Sequence, residues 1–166
     1  MNNFSTPLTK DQDIFDWEPD LSGATKIADK VDQLHISASE DVNRDIRSKW
    51  WAKVVRQNEI VAKPGEVGET TTPVSSFDPN KLDLTQVKNL AVYRLLGWYI
   101  WPLLDEHNSD NTFPIKRSNH WKKRYSDEFA ELLKDGIAYD WNDSGTAEYL
   151  TESVPVSTRS VSIGRG

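Results

Sequence analysis

Three histidines, His35, His107 and His120, are the side chains best suited by type to proton transfer or metal binding. They fall in separate segments, and none stands at a metal-ligand spacing from another. The spacing therefore predicts isolated histidines, on the surface or partly packed. Cysteine is absent, which removes disulfides, thiolate zinc ligands and a thiol nucleophile and fits a reducing compartment. The carboxylate pairs Asp11/Asp13 and Asp105/Glu106 lie in polar lead-ins and turns, so they read as solvated charges rather than an acid–base pair. There is no GxSxG, HExxH, P-loop or Rossmann glycine pattern. The expectation is a protein without catalysis and without a cofactor.

One segment has the residue types of a cation loop. Asp140, Asn142 and Ser144 stand at the first, third and fifth positions of a calcium loop, with Gly145 at the turn. The bidentate Glu expected at position twelve is replaced by Thr151, with Glu152 one residue late. A plain Asx-type turn is the stronger reading.

A second segment could recognise anions. Lys116, Arg117, Lys122, Lys123 and Arg124 make a basic island containing no acid. Positive charge near a helix N-terminus opposes the macrodipole, so helix stability does not explain it. The island can meet an acidic surface or phosphates, or be a solvated face balanced by Asp127, Glu128 and Glu131.

These residues need elements to hold them. The chain has 166 residues, enough for one domain with a real core. Residues 1–21 are polar and broken by Pro7 and Pro19, and read as an N-terminal arm or irregular lead-in. Residues 22–145 read as a helical domain. Ile27, Val31, Leu34, Ala38, Val42, Ile46 and Trp50 recur every three or four residues, predicting a helix over 22–57, capped by Asp20 or Ser22, or two helices with a break near 35–37. Residues 58–82 hold Pro64, Gly65, Gly68, Pro73 and Pro79 and read as a long loop or β-hairpin arm, with 59–62 and 72–75 as strands.

Asp83 or Thr85 caps an apolar helix that runs through Trp101 and ends at Pro102; it should be the centre of the core. Its most apolar stretch, 90–104, is too short for a bilayer and contains Arg94. A last helix begins at Arg117 or Ser118, buries Trp121, Tyr125, Phe129 and Leu132/Leu133, and stops at Gly136. Residues 146–166 form an extended tail, alternating at Val154, Val156 and Val161, that can add a strand to another surface. The first residues show no secretory pattern. The expected fold is mainly α: a small helical bundle with a long loop or hairpin arm and an extended C-terminal tail.

Two composition features point towards contact surfaces. The net charge of −6 is uneven: residues 1–45 carry 10 acids and 4 bases, residues 46–63 carry 1 acid and 5 bases, and 116–166 carry 8 of each. There are also seven Trp, a residue favoured in cores and at interfaces. Trp50 and Trp51 are adjacent, so one is expected to leave the core stripe and form a subunit interface together with Lys116, Arg117, Lys122, Lys123 and Arg124, unless the long arm wraps the core on a second side.

The order of elements resembles that of the head–tail connector, or adaptor, proteins of tailed bacteriophages. The likeness lies in Ile27, Val31, Ala38-Ser39, Val42-Asn43 and Ile46, then Val87, Leu90-Ala91, Tyr93 and Leu95-Leu96. It continues through Lys123-Arg124-Tyr125, Glu128, Leu132-Leu133 and Gly136 into the Tyr139-Asp140…Gly145 turn and the tail. The resemblance implies a structural virion component of the neck, made in the host cytoplasm, assembling as a homo-oligomeric, twelvefold ring. It implies a portal protein and a tail-completion or tail protein as partners, with double-stranded DNA passing through the lumen unbound and no membrane. It also implies docking on the portal or a neighbour through Val154, Val156, Arg159, Val161, Ile163 and Arg165. The other function the residues suggest is a nucleic-acid-binding accessory protein using 116–124.

Overall fold

In a computed structural model the described residues are 7–23, 31–54, 77–105, 112–140 and 145–147. They form a small, mainly helical bundle. The proposed strands at 59–62 and 72–75, Asn142, Ser144 and the tail residues Val154 to Arg165 lie outside them.

From residue 7 on, the first helix replaces the arm or irregular lead-in expected over residues 1–21. α1 spans Asp11–Trp17 and is followed by a 3-10 turn, Pro19–Gly23. Asp13 reaches back to accept from the Lys10 N–H at 2.8 Å, which fixes the helix start. Ile14 and Leu21 belong to the core, at 2% and 7% exposure. The polar composition concealed two well-placed apolar anchors.

α2 spans Val31–Ile46 without a break at 35–37. Ala38, Val42 and Ile46 are fully buried, on the stripe the spacing predicted. The helix then widens into a π-turn, Arg47–Trp51, closed by the Ala52 N–H on the Arg47 carbonyl.

Burial of both rings overturns the assignment of Trp50 and Trp51 to a subunit interface. In an α-helix, neighbours point about 100° apart, but a turn closed by i→i−5 bonds is wider and brings successive side chains closer in direction. Both rings are buried, at 8% and 7% exposure. Their centroids are 5.9 Å apart, and Trp51 lies 5.2 Å from Tyr139 and 5.5 Å from Phe77.

α3, Leu84–Leu95, is the central helix. Asp83, one of the two caps the sequence offers, caps it by accepting from the Thr85 N–H. Val87, Leu90, Ala91, Val92, Tyr93 and Leu95 are all buried. Pro102 does not end this helix. A second π-turn, Leu96–Ile100, leads into α4, Trp101–Asp105. The Trp101 N–H bonds to the Leu96 carbonyl, so the helix has already changed register where proline removes a donor.

α5 runs from Phe113 to Asp135, with Pro114 in its first turn, a position that tolerates proline. It therefore starts earlier than Arg117 or Ser118. Trp121, Tyr125 and Phe129 are buried along it, as their spacing requires. Gly136 ends it at φ 97°, ψ 154°, a region open essentially to glycine alone. The chain then returns beside the entry to α3. Leu82 and Tyr139 form an antiparallel bridge, the Asp140 N–H donates to the Lys81 carbonyl at 2.8 Å, and Tyr139 is fully buried. α2 and α5 both pack on α3.

Candidate functional site

The chemistry-bearing residues divide into buried polar hubs and exposed rims. The first hub holds the N-terminal segment. His35 on α2 is 2% exposed. Its Nδ1 meets Thr9 Oγ1 at 2.6 Å and its Nε2 meets Asp11 Oδ1 at 3.0 Å. The Leu8 N–H donates to Ser39 Oγ at 3.0 Å on the same helix. His35 is thus a clasp for residues 8–11. Thr9 is 1% exposed, so the Thr–His–Asp array holds no accessible nucleophile.

The second hub centres on Glu18, 2% exposed. It accepts from Trp121 Nε1 at 2.7 Å and from Arg117 Nη2 at 3.1 Å. Around it Trp17 meets Tyr93 and Trp121 edge-on, and the Arg124 guanidinium lies over the Trp17 ring at 5.2 Å. Lys88 pairs with Asp13 at 2.6 Å. Burial raises the Asp13 carboxyl, but bonds from Lys88 and the Lys10 N–H, with the Lys88 charge, outweigh it and hold it below the usual value.

The third hub ties α2 to α3. Asp41 accepts from Arg94 Nε and Nη2, at 2.9 and 2.8 Å, from Tyr99 OH at 2.7 Å and from Arg44 Nη1 at 2.9 Å. Burial raises its carboxyl, yet Tyr99, Arg94 and Arg44 together hold it below the usual range. Burial and the Asp41 bond push the Tyr99 hydroxyl up to about 12. Tyr125 donates to Asp45 at 2.6 Å; burial and then that bond raise its hydroxyl too.

These hubs absorb most of the basic island. Arg117 bonds to Glu18, and Arg124 covers Trp17, Tyr93 and Trp121. Lys122 stands 5.6 Å over the Trp98 ring, and Lys123 pairs with Asp127 at 2.9 Å. Lys116 is exposed in the first turn of α5. The five bases therefore do not form one open patch. Of the candidate cation ligands only Asp140 is described, and its Oδ2 accepts from the Gly145 N–H at 2.7 Å, a bond to the fifth residue on, whereas an Asx-type turn bonds two residues on. Among the described residues no group of three His, Asp or Glu is placed to hold a metal, and no helix is long and apolar enough to cross a membrane.

Sequence reasoning missed Thr9, Glu18 and Asp41. Their partners stand far along the chain, Glu18 bonding 99 and 103 residues away, and no local spacing signals such pairs. At the rims, large apolar side chains remain open: Leu84, Phe113 and Ile115 are about half exposed, and Trp17 and Ile36 more than a third.

No protein-family model, curated protein or solved structure matches the chain.

Proposed function

We propose that the chain is a structural assembly protein: a head–tail connector subunit that forms a twelvefold ring beneath a phage portal, joins the capsid to the tail and lets DNA pass. The observation that carries the reading is the division between interior and rim. Among the described residues, His35, Glu18, Asp41 and Arg94 serve to lock helices together, while Phe113, Ile115, Leu84 and Ile36 stay exposed at the edges. Rigid helices with apolar edges suit a protein that works by contact. The tail, Val154 to Arg165, is the proposed portal-docking segment.

The nucleic-acid reading draws less support, because Arg117 and Arg124 are engaged with Glu18 and aromatic rings. The test is co-sedimentation with portal rings encoded in the same genome. The full chain should sediment with them, and removal of Val154–Gly166 should abolish docking while the helical circular dichroism is kept. Equal binding by the truncated chain overturns the role of the tail. Salt-sensitive DNA retardation, lost when Lys122, Lys123 and Arg124 are reversed in charge, would favour the other reading.

A further inference from the structure

Among the described residues three buried side-chain atoms lack a hydrogen-bond partner: Asn43 Oδ1, Trp101 Nε1 and Arg117 Nε. A buried group left unpaired is costly, and native folds keep few of them. These three separate by chemistry. The two donors sit together where α4 meets α5: the Arg117 guanidinium lies 6.0 Å from the Trp101 ring, and Phe113 meets Trp101 edge-on at 5.7 Å. The acceptor is on α2.

The surroundings separate in the same way. The donor rim carries Phe113 and Ile115, 50% and 48% exposed, with Lys116, Arg117 and the positive end of α5, where Thr112 supplies no side-chain cap. The acceptor rim carries Asp32, Ile36, Glu40 and Asn43, at helical spacing on one stripe of α2. Ile36 is 39% exposed, and with Pro7, Ser39 and Glu40 it lines a recess. One rim is basic and apolar with spare donors; the other is acidic and apolar with a spare acceptor. The two rims are separate patches, one on α2 and the other at the start of α5.

We propose that the two rims meet between successive copies of this chain, Phe113, Ile115, Lys116 and Arg117 of one copy against Ile36, Glu40 and Asn43 of the next, in a head-to-tail contact. This rests on the reading of the chain as a ring subunit. A contact between two different patches continues from copy to copy and closes into a ring when the rotation allows. The Arg117 side chain is 38% exposed while its Nη2 stays on Glu18, and Asn43 is half-buried, so both stand at the edges of their rims beside the exposed charged and apolar side chains. Charge complementarity of Lys116 with Glu40 and Asp32 fixes the order of the two rims.

The absence of cysteine makes an introduced thiol the only one in this chain, and portal rings treated alone serve as the control. Ile36→Cys and Ile115→Cys are made in separate full-length chains, mixed on portal rings and treated with a short bismaleimide. The proposal predicts cross-linked dimers from the mixture and none from either variant alone. Cross-linking of one variant with itself shows a symmetric contact and overturns it. Twelvefold rings in native mass spectra with no cross-link between 36 and 115 overturn this contact but leave the ring reading standing. A chain that remains monomeric with portal present overturns both. As a second measurement, Lys116→Glu and Glu40→Lys should each cut the cross-linked yield at least several-fold, and the two together should restore it. Absence of that rescue also counts against the proposal.

Discussion

The hydroxyl of Ser118 donates to the carbonyl of Gly97 at 2.8 Å, and the chain itself creates the need for that bond. In the π-turn the Trp101 N–H passes Gly97 and bonds to Leu96. The next residue, Pro102, has no N–H to offer. The Gly97 carbonyl is left without a donor from its own helix, and α5 provides one. Ser118→Ala should therefore cost about 1–3 kcal/mol, the cost of leaving a buried acceptor unpaired. Denaturant unfolding checks this. Pro102→Ala, which returns an N–H to that turn, should recover part of the loss in the double variant.

Gly97 also lets α5 approach closely. A Cβ there would stand 3.1 Å from the Lys122 nitrogen and 3.2 Å from its Cγ. The nitrogen belongs to a helix backbone and cannot move alone. Gly97→Ala should lower stability by about 1–3 kcal/mol through overpacking, measured as a fall in Tm.

The N-terminal segment should be released by a single change at Glu18. Glu18→Ala leaves the Trp121 indole N–H and Arg117 without their buried acceptor, at a cost of about 3 kcal/mol. Limited proteolysis should then cut within residues 8–23 while α3 and α5 stay protected. Unchanged protection of that segment would show that Ile14, Leu21, the His35 clasp and the Lys88–Asp13 pair suffice to hold it.

Stability should fall at both ends of the pH scale. The Asp41 carboxyl is held below its usual value of 3.8, so its contribution is complete above that pH and fades as pH falls through the lowered value. Tyr99 runs the other way. Its hydroxyl is raised from 10.0 to about 12, so stability is complete below pH 10 and is lost as pH rises towards 12. Tyr99→Phe should flatten part of the alkaline limb, and Asp41→Asn part of the acid limb, in unfolding curves recorded against pH.

Short-range features were legible in the sequence. The stripe Trp121, Tyr125 and Phe129 follows the helical period, the cap at Asp83 stands directly before its helix, and Gly136 occupies a conformation other residues avoid. Departures from that period were not. Trp50 and Trp51 looked incompatible with one core stripe, and both are buried because Phe77 and Tyr139 pack against them. Pro102 looked like a stop because an α-helix was assumed. Residues 8–23 looked like an arm because Ile14 and Leu21 are sparse among polar residues, and the bonds that dock them join to α2, α3 and α5, far along the chain. At the candidate rims, Lys116 was visible as charge, whereas its distinction from Arg117, which bonds to Glu18, and from Arg124, which lies over three rings, required the packed helices.

The central claim is assembly, and negative-stain averages of portal rings with and without the full-length chain test it most directly. The connector reading predicts an added ring of density with twelvefold symmetry on one face of the portal when the chain is present. Portal averages that are identical with and without a molar excess of the chain would contradict it.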